Sequence, residues 1–259
     1  MRICFVGDVV SNPGLRVVKR LLPEIKRNYN VDVIILNGEN SCYGLGISSR
    51  IVDELLAIGV DVITLGNHSF SNKDFQRSCV KYDQVIRPAN IECWPGNDYY
   101  VVEKNGFKLG VINLLGQVDI SPAGDNPFKK ADELVHMLKS EHKVNGICLD
   151  MHCEATSEKQ AIGFYLDGKV SAVCGTHTHV QTADDRILPN GTAFITDVGM
   201  CGVADSIIGM DIDTSLRRFV SKLPAKFEPA EGEAFLNAVL IDINDNGLCS
   251  SIRRLFEYE

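Results

Sequence analysis

Five short apolar runs in this chain each end directly in residues able to ligate a metal, and that coincidence constrains the fold more than any bulk property. Arg2–Val6 runs into Gly7-Asp8, and Val33–Leu36 into Asn37-Gly38-Glu39-Asn40. Val62–Leu65 runs into Gly66-Asn67-His68, Gly146–Met151 into His152, and Val170–Cys174 into Gly175-Thr176-His177-Thr178-His179. β-branched residues dominate these runs, and amphipathic stretches separate them, which is the pattern of βαβ units and a partly parallel sheet. The spacing predicts a first helix from Pro13 to about Arg27, with Val17, Val18, Leu21, Leu22 and Ile25 on one face. It predicts another capped by Ser48 or Ser49 and ending near Ile58, and two more over Asp132–His142 and Ser157–Tyr165. In open α/β sheets ligands sit beyond the carboxyl ends of the strands, so the five segments are expected to converge.

Three turn signals qualify the parallel picture. Asn105-Gly106 lies between Tyr99–Glu103 and Lys108–Asn113, Asn190-Gly191 between Ile187 and Thr192–Thr196, and Asp245-Asn246-Gly247 between Phe235–Ile243 and Cys249–Leu255. Each reads as a hairpin, so the later half is expected to turn increasingly antiparallel. Two mixed sheets stacked face to face, with helices outside, accommodate both halves: an α/β protein built as a four-layer α/β/β/α sandwich. No repeat, low-complexity tract or composition break marks a linker in the 259 residues, so one domain, 1–259, is expected.

Composition narrows the function classes. Apolar residues make up 45% and charged residues 23%, ordinary for a globular chain. The net charge of −8 argues against stable duplex nucleic-acid binding, since phosphate backbones are met by basic surfaces. A small phosphate substrate is still compatible, because a pair of divalent ions would dominate the local field. The opening MRICFVGD has an apolar stretch too short for a signal peptide, and no run reaches membrane-spanning length. The nine cysteines include no CxxC pair, and Cys4, Cys148 and Cys174 sit in apolar runs as buried thiols would. A reducing, cytoplasmic location is expected.

Taken singly, the ligand-type residues have plainer readings. Asp8 could cap the helix announced by Asn12-Pro13, Glu39-Asn40 and Asn67-His68 could be turn residues, and His152 a buried hydrogen-bonded imidazole. His177 and His179 form an isolated His-x-His, a moderate metal signal. His136 and His142 read as surface residues of the Asp132–His142 helix. Thr176, Thr178, Gln181 and Thr182 could order the imidazoles or be exposed turn residues. Gly199-Met200-Cys201-Gly202 reads as a tight turn, with a close-approach pocket wall as the alternative. It is the conjunction at five strand ends that favours a metal centre. Carboxylates, amides and imidazoles without a thiolate suit Fe, Mn or Zn rather than Cu(I).

The segments GDVV, NGEN, TLGNH and GTHTHVQT resemble the blocks of the calcineurin-like metallophosphoesterases. Val10 departs from that superfamily's Asp-x-His, and Glu39 from its usual bridging Asp. Both departures match the bacterial 2′,3′-cyclic-nucleotide 2′-phosphodiesterase family, which RPAN at 87–90, the stretch 151–200 and DSIIGM at 205–210 also resemble. The resemblance implies that Asp8, Asn40 and His179 hold one metal and Asn67, His152 and His177 a second, with Glu39 bridging. Fe or Mn would be the ions, with Zn as an alternative, and His68 would be the proton donor. The implied reaction opens 2′,3′-cyclic nucleotides to 3′-phosphates by attack of a hydroxide between the metals. A phosphomonoesterase or protein phosphatase, and a regulatory binding protein retaining the metals, are the alternatives. The expected partner is a small phosphoester, and a homo-oligomer is expected. Ser69-Phe70-Ser71 stands where the family commonly has Trp-Asp, and Leu15 where Arg is frequent; these flank the substrate entrance.

Overall fold

A computed structural model of the protein describes residues 1–224, 226 and 228–259. Strands β1 (Arg2–Val6) and β2 (Asp8–Val9) precede helix α1 (Ser11–Asn28), which is followed by β3 (Val33–Asn37), α2 (Ser49–Ala57), β4 (Val62–Thr64), α3 (Lys73–Ser78) and β5 (Val85–Ile86). The hairpin β6 (Tyr99–Lys104) and β7 (Phe107–Leu115) leads to α4 (Pro127–Ser140), β8 (Gly146–His152), α5 (Thr156–Tyr165) and β9 (Ala172–Thr176). The remainder comprises β10 (Arg186–Ile187), β11 (Ala193–Ile195), β12 (Met200–Val203), α6 (Ile212–Ser221), β13 (Ala234–Ile243) and β14 (Cys249–Tyr258).

One sheet runs β2-β12-β13-β1-β3-β4-β5, with β14 on β13; the other runs β10-β11-β9-β8-β7-β6. Each has a parallel heart, β1-β3-β4-β5 in the first and β7-β8-β9-β11 in the second. These strands are buried on both faces, which is why they read as near-continuous apolar runs. Along β1, Ile3 and Phe5 point between the sheets, packing with Val111, Cys148 and Ile195. Cys4 and Val6 point outward beneath Val17, Val18 and Leu22 of α1 and Leu55 of α2. On the far side Leu134 and Leu138 of α4 and Ile162 of α5 cover the second sheet. The result is the expected four-layer α/β/β/α sandwich.

Several elements differ from the sequence reading. Helix α4 starts at Pro127 because Asn126 Oδ1 accepts from the N–H groups of Phe128 and Lys129, with proline at the first turn where its missing donor costs nothing. It ends before His142, which is half-buried, with its Nε2 3.0 Å from the Tyr99 hydroxyl; the surface reading of His142 is corrected, whereas His136 is exposed. Residues 200–203 form β12 rather than a turn, pairing parallel with β2 and antiparallel with β13. The later half is thus less antiparallel than its turns suggested, since β11 also pairs parallel with β9. Helix α6 leaves Ile212, Leu216, Phe219 and Val220 exposed. Among the described residues no helix is long and apolar enough to cross a membrane.

Candidate metal centre

All eight predicted site residues lie at the same edge of the two sheets, at or just beyond strand ends. Asp8 opens β2, Glu39 and Asn40 follow β3, Asn67 and His68 follow β4, His152 closes β8, and His177 and His179 follow β9. Asp8, Glu39 and His152 are fully buried. Around His152 Nε2 lie Glu39 Oε1 at 2.9 Å, Asn67 Oδ1 at 3.1 Å and His177 Nδ1 at 3.1 Å. Around His179 Nε2 lie Asn40 Nδ2 at 3.1 Å and Asp8 Oδ1 at 3.9 Å. Glu39 touches both groups, because its Oε1 is also 3.3 Å from Asn40 Nδ2.

The outward nitrogen of each imidazole is fixed. His179 Nδ1 lies 2.9 Å from the Ile208 carbonyl, which can only accept, so that nitrogen carries the proton and Nε2 presents its lone pair inward. The Thr176 hydroxyl donates to Asp150 Oδ1 (2.6 Å) and therefore accepts from His152 Nδ1 (2.8 Å). His177 Nε2 faces the Glu154 carboxylate at 3.3 Å, leaving Nδ1 inward. Asn67 is oriented likewise: its Nδ2 donates to the Ser121 carbonyl (3.2 Å), which aims Oδ1 at His152. Metal-binding imidazoles are held in this way, the remote N–H given to an acceptor so that ring orientation and tautomer are set.

Three observations test whether these residues fit metal ions. Asp8 Oδ1 is buried without a hydrogen-bond partner, although such groups are nearly always satisfied. Glu39, His152 and His177 each offer a ligand atom within 4.8 Å of the others. A Cβ on Gly66 would sit 2.3 Å from both Glu39 Oε2 and His152 Nε2, so only glycine leaves the cluster its room. Asn40 would present Oδ1 to a cation after a flip of its amide. The residues fit.

The electrostatics agree. Burial pushes the Asp8 carboxyl up to about 7. Burial also opposes charge on Glu39 and His152, yet their mutual attraction wins, holding Glu39 down at about 2 and His152 up at about 9. Burial and the neighbouring His152 push His177 down to about 3. A proton shared by Glu39 and His152 thus occupies the place a cation would take.

His68 borders the cluster, its Nε2 3.4 Å from Asn67 Nδ2. Its backbone N–H donates to Glu39 Oε2 (3.0 Å), while its ring lines a cavity of about 380 Å³ over the site, together with Glu39, Asn40, His177 and His179. The helix-cap reading of Asp8 is not realised: the cap position of α1 is Val10, with no side-chain cap, and Asp8 Oδ2 instead accepts from the His177 N–H (3.1 Å).

Further supporting residues lie behind the predicted set. Asp150, pushed up by burial, accepts from Thr176, Thr64 and Asn37 Nδ2 (3.1 Å), and so steadies His152 through Thr176. Asp197 accepts from the Thr178 N–H (3.0 Å) and hydroxyl (2.7 Å) and from Gly199 N–H (2.8 Å), and pairs with buried Lys159 Nζ at 2.7 Å. It thereby fixes a loop whose His177 and His179 hold positive φ (104° and 66°), which non-glycine residues seldom adopt. Of the polar run, Thr176 reaches an imidazole; Gln181 instead donates to the carbonyls of Val198, Ala238 and Leu255. The usable sequence signal was the acid inside an apolar run at Asp150, which is rarely tolerated unless paired; Lys159, among Ser157, Glu158 and Gln160, carried none.

Comparison with known proteins agrees with this geometry. Residues 4–255 match the model of the family described as YmdB-like protein. A Bacillus subtilis protein named 2′,3′-cyclic-nucleotide 2′-phosphodiesterase is 48% identical over 246 residues, covering 95% of this chain and 92% of its own. A Thermus thermophilus crystal structure described as a hypothetical protein superposes with a TM-score of 0.93 at 38% identity, covering all of both chains. A Mycoplasma pneumoniae structure described as a novel phosphatase gives 0.93 at 34%, covering this chain fully and 93% of its own. The chain belongs to the YmdB-like protein family.

Proposed function

We propose that the protein is a two-metal phosphodiesterase that opens nucleoside 2′,3′-cyclic phosphates to 3′-phosphates. The observation that carries this reading is the convergence of the His152 and His177 ring nitrogens on Glu39, with His179 Nε2 facing the buried and unpartnered Asp8 Oδ1 alongside. The name of the Bacillus subtilis relative supplies the substrate class. In this reading Asp8, Asn40 and His179 would hold one ion, Asn67, His152 and His177 the other, and Glu39 would serve both. The donor set suits Fe, Mn or Zn, and the family resemblance puts Fe or Mn first. Metals held there would supply Lewis acidity for phosphoryl transfer and for activating water. The residues of the chain do the rest. His68, at the cavity and outside the ligand cluster, gives a proton to the departing 2′-oxygen, a role worth about 10²–10⁴-fold. Thr176, Glu154 and the Ile208 carbonyl keep the three rings aligned. The nine free cysteines suit a reducing, cytoplasmic setting.

The test is metal content measured alongside hydrolysis of 2′,3′-cyclic AMP and a p-nitrophenyl monoester. Two metals per chain are expected, with diester turnover lost in His68→Ala while the metals stay bound. A metal-loaded preparation that cleaves only the monoester would make the protein a phosphomonoesterase.

A further inference from the structure

The cavity over the ligand cluster has a polar floor and an apolar mouth. Tyr43 and Leu45, after β3, and Ile208 and Met210, after β12, form the mouth. Tyr43 is 74% exposed, Leu45 52% and Ile208 50%. Exposed apolar groups gathered at one cavity mark a ligand surface more often than scattered ones do. Tyr43 and Ile208 are also held at positive φ, 53° and 50°, uncommon for any non-glycine residue and costly for a β-branched one.

Both loops are tied to the metal cluster. Gly44 N–H donates to the Asn40 carbonyl (3.1 Å), and the Ile208 carbonyl accepts from His179 Nδ1 (2.9 Å). Ile207 and Met210 exchange backbone hydrogen bonds at 2.9 and 3.0 Å. The loops also meet one another, since a Cβ on Gly44 would lie 2.8 Å from Met210 Cε. The mouth is therefore fixed in relation to the place where phosphorus would sit.

Charge narrows the occupant. Among the described residues the cavity lining includes Glu39 and Glu154 but no lysine or arginine. No lysine or arginine is placed there to meet a second phosphate charge, so the lining suits a monoanionic ester. A cyclic diester carries one negative charge and, in a nucleotide, a flat apolar-faced base. The volume of about 380 Å³ lies within the range of about 300–1,000 Å³ typical of small-molecule sites.

We propose that Tyr43, Leu45, Ile208 and Met210 form a base subsite, with the Tyr43 ring as the stacking face for the base of a nucleoside 2′,3′-cyclic phosphate. The subsite deepens the phosphodiesterase reading and rests on it. The same terminus can arrive as a free nucleotide or as the 3′ end of an RNA.

The metal-loaded enzyme, Tyr43→Ala and Tyr43→Phe are compared on 2′,3′-cyclic AMP and on glycerol 1,2-cyclic phosphate, which keeps the strained ring but lacks a base. Tyr43→Ala is expected to raise KM for cyclic AMP about tenfold with kcat nearly unchanged, in keeping with aromatic stacking on a base. Tyr43→Phe restores the KM, and neither variant alters turnover of the base-free ester. Equal losses on both substrates, or none on either, would overturn the subsite. Calorimetric titration with adenosine 3′-phosphate separates this proposal from the reaction it rests on. Binding weakened by Tyr43→Ala in an enzyme that cleaves no cyclic diester keeps the subsite and removes the phosphodiesterase reading; binding indifferent to Tyr43 removes the subsite. A dinucleotide ending in a cyclic phosphate must show the same Tyr43 dependence, and a lower KM than cyclic AMP identifies RNA ends as the source.

Discussion

At the scale of single residues, the centre is a set of lone pairs held toward one another at short range, an arrangement unfavourable unless a cation or a proton intervenes. In the metal-free protein that proton belongs to the Glu39–His152 pair. Because His152 is raised from 6.5 to about 9, its contribution to stability is fully present below about 6.5 and is lost as pH rises through about 9. Glu39, lowered from 4.5 to about 2, contributes above about 4.5 and loses this as pH falls toward 2. Metal binding must displace the proton. Calorimetric titration of metal into the metal-free protein near neutral pH is therefore expected to release protons, so the apparent enthalpy tracks the ionisation enthalpy of the buffer. An enthalpy independent of buffer would mean that His152 is already neutral. The melting temperature of the metal-free protein should also fall between about pH 6.5 and 9.

At the scale of elements, the loop after β9 depends on a brace from α5 and the end of β11. Lys159 and Asp197 are 1% and 0% exposed, and Asp197 holds Thr178 between the two candidate ligands His177 and His179. Removing one partner of a buried pair leaves the other charge uncompensated, so Asp197→Ala is expected to cost about 3–5 kcal/mol. The same variant frees the loop and should lower metal occupancy as well as melting temperature. Lys159→Met combined with Asp197→Ala removes both charges and should recover part of the stability while metal occupancy stays low, because Thr178 remains unanchored. Full recovery of occupancy in the double variant would show that the brace acts through charge balance alone and not by holding the loop.

At the scale of the whole molecule, the two sheets share one apolar layer, in which Phe5, Ile35 and Val239 of the first meet Val111, Cys174 and Ile195 of the second. The candidate metal ligands lie across the same junction, with Asp8, Glu39 and Asn67 from one sheet and His152, His177 and His179 from the other. We therefore expect residues 1–259 to unfold as one domain, in a single calorimetric transition that chelation shifts to lower temperature. A ligand at a hundred times its Kd adds about 2.7 kcal/mol per site, enough for a shift of several degrees. Two resolved transitions would mean that the sheets fold independently.

Legible in the sequence were the strands of the parallel hearts other than β5, the three hairpins, the four layers and the eight residues gathered at one edge. Those features are written locally: strand and helix periods differ, turns carry Asn-Gly or Asn-Asp neighbours, and ligands follow strand ends directly. Helix α4 was misjudged at both ends because its start is set by one side-chain cap. The tertiary structure alone decided what supports the site. Asn37 reaches Asp150 across 113 residues, Lys159 finds Asp197 across 38, and β12 becomes a strand only because β2 and β13 flank it. The apolar mouth is of the same kind, since Tyr43 and Ile208 share a cavity only once β3 and β12, remote in the chain, have joined one sheet. A buried charge or a cavity wall is stabilised by whatever lies opposite, and which residue lies opposite is fixed by packing between segments remote in the chain.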